Sequence, residues 1–274
     1  MGSNMINRWF GFFVLTLCLV ACATSPTGRK QLMLISPESA IVQSKTAYLS
    51  TMSDFEKQQK LVKDPAVVKR VQTITGRLVT EAVKMYPNSK DWEWSVAIID
   101  DPKTINAWCM AGGRMAIYTG IIDKLKLTDD EMAQIMGHEI SHALANHTAE
   151  RMSRAMAINL GVVAVGVAAE NKAVALTGAA LAAKVALELP NSRTAEAEAD
   201  RIGTELATRA GYSPEAAASL WRKMAEVGGG GPEFLSTHPA PGNREKALTE
   251  LVPDMKKINP TAKKSPVYPI QIVK

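Results

Sequence analysis

Five consecutive residues, His138-Glu139-Ile140-Ser141-His142, constrain this chain more than any others. Along a helix, residues four apart differ in facing by about 40°, so the two imidazoles project from one side and can grip a single ion. Glu139 lies on the adjoining face, where a carboxylate can take a proton from a water as that water attacks a carbonyl. The residues ahead of the motif read as the start of a helix. Thr128 is placed as N-cap with Glu131 three residues on, a capping box. Leu127 and Met132 fit a hydrophobic staple, and Asp129 and Asp130 suit the positive end of the helix dipole. The helix is expected to run on to about Arg154.

A catalytic zinc takes three protein ligands and keeps one position open. His147 is nine residues past His138 and projects to the opposite side of the same helix, so it cannot complete the site unless the helix breaks between them. Position 148 is threonine, which removes a third histidine ten residues on. An acidic residue downstream is therefore required. Ser192 to Ala210 reads as a helix carrying Glu196 and Asp200 on one face, with Glu198 pointing away. One of the two acids can bind the metal while the other holds a ligand histidine in its proper tautomer.

These features occur in an order that resembles the membrane-associated gluzincin metalloproteases of peptidase family M48. The resemblance covers about residues 27–250. It is carried by Thr27-Gly28-Arg29-Lys30-Gln31, by Asn106-Ala107 before Gly112-Gly113, by the motif at 138–142, by Glu196 and Asp200, and by Ser236-Thr237-His238-Pro239 with Arg244. One departure is Ala111, where such proteins commonly have proline. The resemblance implies Glu196 as third zinc ligand, Asp200 behind the ligands, and His238 and Arg244 assisting catalysis. His238 can hydrogen-bond a developing oxyanion, or alternatively sit on the metal at rest. The strand around Asn106 and Ala107, with Gly112 and Gly113, is expected to bind an extended substrate through its backbone.

The first twenty residues are of a different kind. Arg8 precedes an apolar run from Trp9 to Val20, too short for a membrane span but suited to a signal-peptide core. Leu19-Val20-Ala21-Cys22 resembles a bacterial lipobox, which implies cleavage before Cys22 and lipidation of it. An uncleaved anchor or an ordinary secretory signal is the rival reading. No aspartate follows Cys22, which favours the outer membrane by resemblance. If Cys22 is lipidated and Cys18 removed, Cys109 has no disulfide partner and is expected as a small buried hydrophobe.

The remaining signals divide the chain. Residues 1–21 are read as lipoprotein signal peptide, 22–31 as a lipidated tether, 32–252 as the zinc metalloprotease domain, and 253–274 as a loosely ordered tail. Helices are expected over Pro37 to about Lys63 and Ala66 to Met85, and strands over Leu32–Ile35, Trp92–Ile99, Asn106–Met110 and Arg114–Thr119. Residues 155–189 read as a pair of apolar helices, or as an element dipping into lipid. A hydrophobic content of 46% suits a folded domain, and a net charge of +5 without a basic, aromatic-interleaved run excludes nucleic acid as the expected partner.

The expected fold is α+β and gluzincin-type, mostly helical, with a small sheet beside the motif helix. The expected function is a zinc-dependent endopeptidase, one Zn2+ per chain, with Glu139 as general base. Its substrates would be misfolded or misassembled envelope proteins, and its place the periplasmic face of the outer membrane. A zinc-dependent periplasmic chaperone with little proteolysis is the alternative, and an exopeptidase is a further one. Replacing Cys22 by alanine should move the protein from the membrane to the soluble fraction on fractionation; unchanged retention would count against acylation.

Overall fold

The computed structural model describes residues 22–168, 189–227, 233–238 and 243–273. The signal peptide read over residues 1–21, and most of the apolar stretch 155–189, lie outside them. Among the described residues no helix is long and apolar enough to cross a membrane.

The centre of the molecule is a four-stranded sheet in the order β4-β5-β3-β6. Strand β3 (Ser95–Ile99) is buried along its whole length, as the apolar run Val96-Ala97-Ile98-Ile99 suits. It pairs in parallel with β5 (Arg114–Tyr118) on one side and β6 (Gln271–Val273) on the other. The edge strand β4 (Ala107–Met110) runs antiparallel to β5, joined to it by a tight turn at Gly112 and Gly113, both at positive φ. Strand β6 corrects the reading of residues 253–274 as a loose tail. A helix reaches Ile258, and the last residues then add a strand to the sheet. Tyr268 N–H bonds the Gly76 carbonyl at 3.0 Å on the way.

Helix α1 (Pro37–Lys57) starts as expected, with Ser36 Oγ accepting from the Ser39 N–H and proline in the first turn. It ends six residues earlier than periodicity suggests. Gln59 takes a left-handed φ of 56°, and the chain turns so that Val62 N–H bonds Ile98 O at 2.9 Å and Asp100 N–H bonds Lys60 O at 2.7 Å. Pairing beside β3 wins over continued helix. Helix α2 (Pro65–Met85) is capped by Asp64, whose Oδ1 accepts from Ala66 and Val67 N–H.

The residues read as a tether are also corrected. Strands β1 (Cys22–Thr24) and β2 (Lys30–Leu32) form an antiparallel pair, so β2 ends at Leu32, where the expected Leu32–Ile35 strand was to begin. This hairpin is pinned to the domain by Arg29 and Gln31, as described below.

After the short helix α3 (Thr119–Lys124) comes α4 (Asp129–Leu144), which carries the motif. Its capping box is complete: Thr128 Oγ1 accepts from Glu131 N–H, and Glu131 Oε2 accepts from Thr128 N–H. The helix does not run to Arg154. Asn146 adopts φ 55°, the left-handed conformation that asparagine tolerates, and a new helix α5 begins at His147 and is described to Ala168. Helix α6 (Leu189–Arg209) comes next, and among the described elements its packing against α4 is the most extensive. Then come α7 (Glu215–Glu226), the short α8 (Glu233–Thr237) and α9 (Arg244–Ile258).

The contact of α4 with α6 is closest at a pair of glycines. A Cβ on Gly203 would lie 2.7 Å from His138 N and 2.8 Å from His138 Cα; one on Gly137 would lie 2.8 Å from Gly203 O. Only bare backbone fits between the two helices. Gly203→Ala should therefore destabilise the protein by about 1–3 kcal/mol in urea unfolding. By helix propensity alone the same change would stabilise by about 1 kcal/mol, so the sign distinguishes the two effects.

Candidate active site

On the face of α4 that meets α6, His138 and His142 turn their Nε2 atoms toward each other at 3.1 Å. Glu196 of α6 completes the group, with Oε2 3.3 Å from His138 Nε2 and Oε1 3.4 Å from His142 Nε2. His238, just after α8, brings Nδ1 to 3.3 Å from His138 Nε2 and to 3.1 and 3.2 Å from the two Glu196 oxygens. One potential ligand atom from each of these four side chains lies within 4.8 Å of the others. Glu139 stands beside them, buried; its Oε1 makes no hydrogen bond and lies 3.4 Å from His238 Nε2. Converging lone pairs on two imidazoles and a carboxylate, with a second buried carboxylate alongside, fit a divalent metal ion.

The electrostatics reflect the crowding of buried charges in this group. Burial raises the carboxylate range of Glu196, but its bonds to His138 and His238 outweigh that and hold it well below the usual value. Burial pushes His142 well down, helped by the neighbouring His138, which leaves it neutral with a lone pair to give. Burial also opposes charge on His138, yet Asp200 and Glu196 overcome it and raise that imidazole to about 9. Glu139 is raised by burial, with His238 and His138 working against the rise. A carboxylate shifted upward toward neutrality is what a general base needs.

Each histidine on α4 is held from behind. Asp200 Oδ1 lies 3.0 Å from His138 Nδ1. Arg244 is buried, stacked with its guanidinium carbon 3.7 Å from the Trp221 ring centroid, and donates to Asp200 and, at 3.3 Å, to Glu196 Oε2. Its Nη2 also lies 3.2 Å from His138 Nδ1, and Arg244 does not line the cleft, so its contacts suit positioning of the ligand side chains. The break at Asn146 brings His147 back toward the site. His147 Nδ1 is 2.8 Å from His142 Nδ1, and its Nε2 is 3.1 Å from Glu198 Oε2. Glu198, expected to face away, is buried. It accepts from Thr27 Oγ1 at 2.5 Å and Arg29 Nε at 2.9 Å, and burial's upward push is overcome by these bonds and by His147, which hold it well below the carboxylate range.

The sequence matches the model of Peptidase family M48 over residues 65–252, which include the motif, Glu196, Asp200, His238 and Arg244. The chain belongs to peptidase family M48. It is 31% identical to "Metalloendopeptidase OMA1, mitochondrial" of Bos taurus, over 95% of this chain and 53% of the relative. It is 30% identical to the Homo sapiens protein of the same name, over 92% of this chain and 51% of the relative. To the "Beta-barrel assembly-enhancing protease" of Yersinia pestis it is 28% identical, over 77% of this chain and 45% of the relative. The chain thus spans about half the length of the curated relatives it matches.

In this M48 chain the metal-binding group opens onto a cleft of about 500 Å³. Its floor holds Glu139, His142, Glu196 and His238, and one wall is the edge of the sheet from Asn106 to Cys109. Asn106 bonds its own strand, Oδ1 accepting from Ala107 N–H at 2.9 Å. Gly112 and Gly113 do not line the cleft, contrary to their expected part in substrate binding. They sit buried in the β4–β5 turn, where a side chain would strike Ile41 and Trp94, so they shape the hairpin instead. Cys109 is buried on β4, with its thiol pushed well up by burial, as expected of an inert hydrophobe. Sequence reasoning missed His147 and Glu198. The one local signal for His147 was Asn146, a residue type suited to the left-handed turn that ends a helix.

Proposed function

We propose that this protein is a zinc-dependent endopeptidase that cleaves unfolded or misassembled proteins of the cell envelope. The observation that carries the reading is the meeting of His138, His142 and Glu196 around one point, with the buried Glu139 carboxylate beside it at the floor of an open cleft. Two histidines and a glutamate are a donor set found at catalytic zinc. Bound zinc supplies Lewis acidity that polarises a water and a peptide carbonyl.

The chain's own residues do the rest. Glu139 takes the proton of the attacking water and hands it to the leaving amine. His238 enters from a separate element, just after α8, and donates a hydrogen bond to the carbonyl oxygen as charge develops on it. Asp200 and Arg244 keep His138 and Glu196 in place. The edge strand β4 offers its backbone to an extended peptide, so recognition needs an unfolded segment more than a particular sequence. Support for envelope clients comes from the lipobox-like Cys22 and from relatives named as beta-barrel assembly-enhancing proteases. The same residues argue for a lipid-anchored position at the outer membrane's periplasmic face.

A second reading of His238 has its own observation. Its Nδ1 lies among the donor atoms, as a fourth ligand would. In that case the imidazole holds the site closed at rest. The whole-protein rival, a zinc-dependent chaperone with little proteolysis, uses the same β4 edge without the chemistry of Glu139.

Casein digestion by the purified protein tests the enzyme reading. Glu139→Gln should keep the fold and the metal and lower turnover by about 10²–10⁴-fold; equal digestion by both forms would sink the base assignment. Cutting of end-blocked peptides would exclude an exopeptidase. Substituting His238 by alanine should lower kcat by about 10²–10³-fold if it stabilises the oxyanion, whereas a rise in turnover would identify it as a resting latch.

A further inference from the structure

We propose that His147 is a positioning residue of the metal centre. It fixes the ring and tautomer of the ligand His142, and is itself fixed by Glu198, a carboxylate that the N-terminal segment Thr27–Arg29 holds in place. The inference rests on the zinc reading of the site given above.

The proton positions follow from the geometry. His142 presents Nε2 to the other donors, so a neutral imidazole bound there carries its proton on Nδ1. That N–H points at His147 Nδ1, 2.8 Å away, which must therefore be the acceptor. An imidazole accepting at Nδ1 carries its proton on Nε2, and His147 Nε2 lies 3.1 Å from Glu198 Oε2. Every atom in the row has one role, and the row ends in a carboxylate. Metal-ligating histidines are commonly oriented by a carboxylate at the second ring nitrogen. His138 has that arrangement directly, through Asp200. His142 has it at one remove, through a second ring.

The chain is built to allow this. In an unbroken helix His147 would stand about 140° round from His142. The left-handed Asn146 restarts the helix so that the two rings meet. Both His147 and Glu198 are buried, at 7% and 4% exposure, so neither is fixed by solvent. Glu198 is fixed by the hairpin. Thr27 Oγ1 and Arg29 Nε bond its two oxygens, and the Arg29 fork reaches Glu150 at 2.7 and 2.6 Å. Gln31 Nε2 then ties Glu150 to the Ala145 carbonyl, both at 2.8 Å, beside the helix break itself. The segment ahead of the family-matched region thus closes a loop of bonds that returns to the metal-binding helix.

The test is zinc affinity, measured on the full chain by competition with a chromophoric chelator, together with the visible spectrum of the cobalt-substituted protein. His147→Leu should weaken zinc binding by about 10–100-fold and shift the cobalt bands, with the far-ultraviolet circular dichroism unchanged. His147→Asn can place an amide against His142 Nδ1 but cannot span to Glu198. It should recover part of the loss, remaining about threefold or more weaker than wild type. Arg29→Met should shift affinity the same way by less. Wild-type affinity and an unshifted cobalt spectrum in His147→Leu would overturn the role; if that variant does not fold, wild-type affinity in His147→Asn would do so. Failure of the wild type itself to bind zinc would instead overturn the reading of the site.

Discussion

The site depends on how closely two helices can approach. Gly137 and Gly203 let the backbones of α4 and α6 touch. Side chains near such a crossing are brought within a few ångströms of one another, and His138 is the next residue after Gly137. Glu196, two turns before Gly203 on α6, then reaches both imidazoles. Methyl groups at the crossing would separate the helices by about the margin that distinguishes a coordinating carboxylate from a distant one. The glycines do no chemistry, yet they set the ligand distances.

Assembling these groups away from water has an electrostatic logic. Glu139, Glu196 and Asp200 bring three carboxylates into one largely buried volume, and Arg244 brings one guanidinium. With neutral imidazoles that leaves two negative charges in excess, which a divalent cation would balance. The ionisation directions combine that excess with burial. His138 is pushed toward carrying a proton by Asp200 and Glu196, and Glu139 toward keeping one chiefly by burial, while Glu196, closest to the imidazoles, remains ionised. Arg244 offsets part of the charge of Glu196 and Asp200 and steadies both side chains.

The sequence was most legible where local chemistry decides. The motif spacing, the Thr128 capping box and the Ser36 cap are short-range signals, and the structure has them where they were read. The membership of Glu196 and Asp200 in one helical face was legible for the same reason. Reading failed where a long-range contact overrules a local pattern. Periodicity carried α1 past Lys57, but hydrogen bonds to β3 turn the chain at Gln59. The polar, proline-bearing end of the chain had no alternation to mark β6, which exists because β3 has an edge to be covered. Helical phase put Glu198 on the outside of an isolated helix, and it would be exposed there. It is buried because Thr27, Arg29 and His147, distant in sequence, arrive to satisfy it. A buried carboxylate can be inferred only when its partners are known.

The same reasoning explains why the first described residues belong to the domain. A polar, turn-rich stretch such as Ser25-Pro26-Thr27-Gly28 has too little apolar surface to dock by burial. It docks by charge, with Arg29 between Glu150 and Glu198, two carboxylates that would be costly if left unpaired in the interior. Dependence therefore runs both ways. The hairpin needs the acids to be ordered, and the acids need the hairpin to be buried. Because one acid supports His147 and the other is tied through Gln31 to the carbonyl beside the helix break, order in the N-terminal hairpin and order in the motif helix are one cooperative property.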